Sequence, residues 1–299
     1  MSIEIDRVRS AERGAKVSIS IYIILAVVKI TVGLFMRASS LTADGFNNLT
    51  DVLSSIAILI GLCTARKPAD ANHPYGHWKA EPIASLVTSF LMLFVGFQVF
   101  ISSASRLISG EIVPPNRLSI IVGLVSAVLL FGLYRYNSTL ANRVHSTGLR
   151  AVSRDNLADS LTSLATAVAI IGASYGIVWL DAFMAVIVSL IICKTGIDVF
   201  KESTFSLSDG FKDKYLLEFK EDIEALPQVK EVPSIKARMY GANTYVDVTI
   251  LVDADMTVQE GHDITETIEK VLYENYDVMH TDVHVEPSNL KDQFNPHQM

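Results

Sequence analysis

Six stretches of the chain are long apolar runs broken by few charges: 17–36, 41–64, 80–108, 118–136, 147–175 and 177–200. Each reaches the roughly 20 residues that a helix needs to cross a ~30 Å hydrocarbon core. The fifth is the weakest by hydropathy, because "RAVSRDNLADSLTS" precedes its apolar half. Counting it gives an even number of spans and puts both termini on one side. After "LSDGF" the pattern changes. "DKYLLEFKEDIEAL" predicts an amphipathic helix, and "VPSIKARMYG" and "NTYVDVTILVD" alternate like strands about a Gly241–Ala242 turn. "TVQEGHDITETIEKVLYENY" gathers Val258, Ile264, Ile268, Val271 and Leu272 on one side of a second helix, and "TDVHVEP" predicts a last strand. Together these predict an α-helical integral membrane domain of six transmembrane helices over 1–208. A ferredoxin-like αββαβ layer follows over 209–290, with a disordered tail over 291–299. A core as small as that layer's is marginal alone, so dimerisation through it is expected.

Composition supports the division. Half of the 299 residues are hydrophobic and 19% are charged, against about a quarter in a soluble domain. A net charge of −7 gives no basis for a nucleic-acid partner. Cys63 and Cys193 lie far apart in apolar blocks, with neither a disulfide framework nor a CxxC pair. "MSIEIDRVRSAERGAK" carries both signs of charge and lacks a small-residue cleavage site, unlike a signal peptide. Arg7, Arg9, Arg13 and Lys16, then Arg66, Lys67 and Lys79, then Arg135, Arg143 and Arg150 cluster on one side. The opposite loops offer Arg37, Arg106 and Arg117. Positive-inside asymmetry then places both termini in the cytosol of a plasma or inner membrane, with Trp78 and Trp179 at span ends.

The polar residues inside the spans are the unusual feature. Asn47 and Asp51 are four apart on the second span and share a face, as do Asp155 and Asp159 on the fifth. At 1.5 Å per residue both pairs fall roughly 12–18 Å into the bilayer. A carboxylate there costs at least ~2.5–3.5 kcal/mol, so several at one depth require compensation. Lys29 is one candidate counter-charge; Arg154 is expected to snorkel to the inner interface. A divalent cation would serve better, held by three anionic oxygens and one amide carbonyl. Polar glue between helices is the other reading, although such glue is usually Ser, Thr or Asn. Asp44 reads as a helix N-terminal acid or vestibule group and Asn48 as a helix-packing amide.

"LTADGFNNLTDVLSS", then "DANHPYGHWKAE", then "AVSRDNLADSLTS", followed by the small α+β domain, together resemble the cation diffusion facilitator family over nearly the whole chain. The resemblance implies a proton-coupled, homodimeric exporter of divalent metals with its transport site at Asn47, Asp51, Asp155 and Asp159. Zinc-transporting members typically have a His where this chain has Asp155; the Asn-x-x-x-Asp and Asp-x-x-x-Asp pair resembles manganese exporters. Ligand chemistry agrees, since Zn²⁺ favours tetrahedral His or Cys sites whereas all-oxygen sites suit Mn²⁺, Mg²⁺ or Ca²⁺. The resemblance also implies a loop metal site at Asp70, His73 and His77, which Pro74 keeps from being fully helical; a solvated loop is the alternative. It further implies a weak C-terminal metal site at His262, His284 and Glu286, without the family's other histidines, and an interdomain charge pair, Lys79 with Asp209. Surface histidines and ordinary interfacial charges are the alternatives. The expected function is Mn²⁺ efflux by proton antiport, with Fe²⁺ or Zn²⁺ as alternative cargo. A membrane metal sensor that moves nothing is the alternative from another class. With no HExxH motif, neither an enzyme nor a catalytic cofactor is expected.

Overall fold

The computed structural model describes residues 2–35, 39–109, 117–175, 177 and 179–289. The expected tail, Arg37 and the side chains of Asp44, Arg106 and Arg117 lie outside what it describes. Six long helices come first: α1 (Ser2–Phe35), α2 (Ser39–Ala65), α3 (Ala80–Ser109), α4 (Arg117–Val144), α5 (Thr147–Ser174) and α6 (Leu180–Leu207). Several overshoot the apolar runs. Helix α1 starts at Ser2, and α4 and α6 continue to Val144 and Leu207, because their polar extensions contain no proline to stop them. Among the described residues, α1 to α4 and α6 each hold a stretch long and apolar enough to cross a membrane.

Helix α5 has two unlike halves. No residue from 151 to 160 is exposed, because neighbouring helices surround that polar stretch. Beyond it α5 exposes Leu164, Val168 and Ile171, as α1, α3 and α4 expose Ile24, Phe94 and Val128. The main core joins all six helices through Ala11 and Ala15 on α1, Ile58 and Leu62 on α2, Ala84 on α3, Ala141 on α4, Leu149 and Val152 on α5, and Val199 on α6. Helices α1 and α5 approach closely at Gly14, where a Cβ would lie 2.7 Å from Leu149 Cδ1.

The chain divides into two compact units, Met1–Thr204 and Phe205–Met299. The second contains α7 (Asp213–Glu224), β1 (Glu231–Tyr240), β2 (Asn243–Val252), α8 (Val258–Tyr276) and β3 (Val278–Pro287), the expected αββαβ order. The sheet order is β1-β2-β3. Strands β1 and β2 form an antiparallel hairpin turned at Gly241, whose φ of 63° suits glycine. The β2–β3 pair is parallel, so the chain needs the α8 crossover between them. Helix α8 begins with a full capping box, Thr257 with Glu260, and ends at Asp277 in the left-handed conformation. That turn carries the chain straight into β3, which starts three residues earlier than the sequence pattern predicts. One sheet face and both helices enclose Phe219, Ile223, Val246, Val248, Ile250, Ile264, Ile268 and Leu272. Tyr276 clips α8 to α7 by donating to Asp222 Oδ2 at 2.9 Å; partial burial and the Asp222 carboxylate push its phenol up to about 12.

Candidate metal site

The start of α5 is fixed before its carboxylates are placed. His145 takes the left-handed conformation (φ 55°) and reverses the chain between α4 and α5. The buried Glu81 carboxylate at the start of α3 then receives Ser146 Oγ at 2.6 Å, Gly148 N at 2.9 Å and Thr147 Oγ1 at 3.4 Å through its Oε1. It acts as an N-cap supplied from another helix, satisfying an otherwise orphaned amide where the helix dipole favours an anion. On the flank towards α6, Arg150 and Arg154 both pair with Glu202, at 2.7 and 2.9 Å. Arg154, expected to snorkel, thus has an acidic partner near the C-terminal end of α6.

With α5 held this way, Asp155 and Asp159 meet Asp51 of α2. All three carboxyl groups are buried, and one oxygen from each lies within 4.8 Å of the others. Three carboxylates at that spacing repel one another in a low-dielectric interior and converge on a space suited to a cation with oxygen ligands. The expected fourth partner, Asn47, is half-buried one turn before Asp51. Asn48, expected to be a packing amide, is instead nearly inaccessible and donates from Nδ2 to Asp51 Oδ2 at 3.0 Å. Its Oδ1 is buried with no hydrogen-bond partner among the described residues. Lys29, considered above as a counter-charge, is fully buried on α1.

Sequence reasoning missed the polar chain behind the cluster. Tyr22 on α1, fully buried, donates its hydroxyl to Asp159 Oδ2. The Tyr22 oxygen in turn accepts from Asn156 Nδ2 at 2.9 Å, and Asn156 Oδ1 accepts from Asn137 Nδ2, also at 2.9 Å. Asn137 Nδ2 also donates to Ser18 Oγ at 2.7 Å. The available signal was a lone tyrosine in "ISIYIILAVV": a phenol buried among aliphatics needs a hydrogen-bond partner.

The loop trio also comes together. Asp70, His73 and His77 offer one ligand atom each within 4.8 Å of one another, in a turn-rich segment rather than a helix. Asp70 Oδ1 accepts from the amides of Asn72 at 2.9 Å and His73 at 2.8 Å, forming an Asx turn. The His73 hydrogen bonds hold its carboxyl below the usual carboxylate range. The imidazoles of His73 and His77 lie 4.1 Å apart. Among the described residues, these two trios are the groups of three or more that could hold a metal. The C-terminal trio is not assembled: His284 pairs with Glu286 at 3.1 Å, while His262 pairs with Glu266 at 3.4 Å. Lys79 lies just before α3 in the first unit, and Asp209 lies just after α6 in the second, in the left-handed conformation.

Comparison with known proteins gives this arrangement a lineage. Residues 15–208 match the description "Cation efflux transmembrane domain", and residues 212–288 match "Cation efflux protein, cytoplasmic domain". The manganese efflux system protein MneS of Bacillus subtilis is 41% identical over 286 residues, covering 96% of this chain and 99% of the relative. MneP, a manganese efflux system protein of the same organism, is 30% identical, covering 94% and 98%. The magnetosome protein MamM of Magnetospirillum gryphiswaldense is 28% identical, covering 85% and 80%. The chain thus belongs to the cation efflux, or cation diffusion facilitator, family: it is a multi-pass membrane transporter of divalent cations with a C-terminal cytoplasmic domain, and not an enzyme.

Proposed function

We propose that the protein exports Mn²⁺ from the cytosol by exchange for protons, through a site formed by Asp51, Asp155 and Asp159 with Asn47 as the neutral ligand. The observation that carries this reading is the convergence of three buried carboxylates from α2 and α5 within 4.8 Å. Their hardness supports Mn²⁺ over Zn²⁺, since a site with no imidazole or thiolate withholds the ligands zinc prefers. The manganese efflux descriptions of MneS and MneP support the same cargo; Fe²⁺ is the neighbouring ion by ligand chemistry. Proton exchange follows from competition: metal needs the carboxylates deprotonated, so protons arriving from outside displace it.

In this reading α5 spans as the sixth membrane helix, its polar half enclosed by the others, and both termini are cytosolic in a plasma or inner membrane. Residues 1–208 form the transport domain and 209–290 a cytosolic regulatory domain through which two copies dimerise. Asp70, His73 and His77 form a separate loop site that binds metal without conducting it. Proteoliposomes loaded with a metal-sensitive dye test the proposal. Mn²⁺ uptake is expected to exceed Zn²⁺ and Cd²⁺ uptake and to rise with an imposed pH gradient. Uptake indifferent to that gradient would overturn proton exchange, and preferred Zn²⁺ uptake would overturn the hard-ligand argument.

A further inference from the structure

Two of the three clustered carboxylates are each tied at one oxygen by a neutral donor. The Tyr22 hydroxyl takes Asp159 Oδ2, and Asn48 Nδ2 takes Asp51 Oδ2 at 3.0 Å. The first bond ends a longer polar chain. Asn137 donates to Asn156 Oδ1, which pins the Asn156 amide with its nitrogen towards Tyr22. The Tyr22 oxygen is thereby an acceptor on that side, and its own proton points to Asp159. Ser18, Tyr22, Asn137 and Asn156 are all fully buried, so no water competes for these bonds from bulk.

We infer that Tyr22 and Asn48 are positioning residues that set selectivity by disfavouring bidentate binding: each draws on one oxygen of its carboxylate and leaves the other as the stronger donor to a metal. This rests on reading the Asp51, Asp155 and Asp159 cluster as the transport site. Mn²⁺ is satisfied by an octahedron of six oxygens, to which each carboxylate need give only one. Ca²⁺ takes six to eight oxygens at longer distances and commonly completes its shell with bidentate carboxylates. Bidentate Ca²⁺ at Asp51 or Asp159 has to share an oxygen that already holds a buried hydrogen bond, which weakens the metal bond, the hydrogen bond or both. A smaller six-coordinate ion incurs no such loss. The donors therefore discriminate against Ca²⁺ without touching the ion.

Purified full-length protein in detergent tests the inference through binding. Free Mn²⁺ is counted by its electron paramagnetic resonance signal, and Ca²⁺ affinity is read by competition against it. Tyr22→Phe is expected to raise Ca²⁺ affinity relative to Mn²⁺ by about tenfold, the scale of one hydrogen bond to a charged group. Asn48→Leu is expected to shift the ratio in the same direction through Asp51, and it decides the matter if Tyr22→Phe does not fold. A merely structural tie between helices would weaken both ions equally and leave the ratio unmoved, which overturns the inference. Asp159→Asn separates the two levels of the argument. If it abolishes Mn²⁺ binding while the ratio in Tyr22→Phe stays unchanged, the selectivity device alone is wrong. If it binds Mn²⁺ like the parent protein, the site reading fails and the inference with it.

Discussion

The protein holds two trios of candidate ligands that solve opposite problems. In the membrane unit, Asp51, Asp155 and Asp159 are all carboxylates, all buried, and fixed by two helices that pack among others. In the loop, Asp70, His73 and His77 combine one carboxylate with two imidazoles, and the first two side chains are 53% and 54% exposed. Water screens the loop trio whether or not a metal is bound, and its Asx turn would form without one. The buried trio has no such relief. Its like charges must be offset by donors such as Tyr22 and Asn48, by a cation or by protons. Burial therefore turns a cluster of acids into an exchange site, in which leaving it empty and charged is the costly state. An exposed cluster of similar size can bind or release a metal with little consequence for the rest of the fold.

Removing a carboxylate from the buried trio should have the largest effect. Asp51→Ala or Asp159→Ala is expected to lower Mn²⁺ flux in proteoliposomes by roughly a hundredfold or more, since even partners behind the ligands are worth 10–100-fold at metal sites. Flux retained in either variant would break the contrast between the trios at its root. A smaller change sharpens it by making the buried trio resemble the loop. Asp155→His puts one imidazole among the oxygens and is expected to shift the Zn²⁺/Mn²⁺ flux ratio towards zinc by about tenfold, following ligand softness. An unchanged ratio would mean that shape rather than ligand type sets the preference.

How far the sequence revealed these trios depended on what surrounds each residue. The i, i+4 pairs on α2 and α5 were legible because helical spacing alone puts Asp155 and Asp159 on one face. The six long helices were legible as apolar runs, and the αββαβ order was legible from periodicity. Helix α5 was the weakest of the six by hydropathy because its polar half, enclosed by protein from 151 to 160, is averaged with an apolar half. Tyr22 was missed because its partner is set by tertiary packing: it meets Asp159 across 137 positions of sequence. Glu81 gave no sign that it caps a helix beginning 66 residues later at Thr147.

The smallest expected effects lie in the loop, and they test whether its metal chemistry is separate. His73→Ala combined with His77→Ala should leave Mn²⁺ flux within about twofold, because the pair supplies no oxygen to the buried trio, and should abolish one Zn²⁺-binding event seen by calorimetry. A large loss of Mn²⁺ flux would join the two sites into one pathway. Acid provides a second handle on the same loop. The amides of His73 and Asn72 favour the ionised Asp70, holding its carboxyl below the ordinary range. Because the folded value is depressed, the order it contributes is fully present above the unfolded value of about 3.9 and is lost as pH falls through the lower folded value. Hydrogen exchange of the 70–77 peptide, corrected for the intrinsic pH dependence of exchange, should therefore show steady protection from pH 7 to pH 5. Asp70→Ala should raise exchange at the Asn72 amide several-fold throughout that range, since it loses its acceptor, and at His73 by less, since that amide keeps the Asp70 carbonyl at 3.2 Å. Protection that already fades between pH 7 and pH 5 in the parent protein would show that a group other than Asp70 holds the loop.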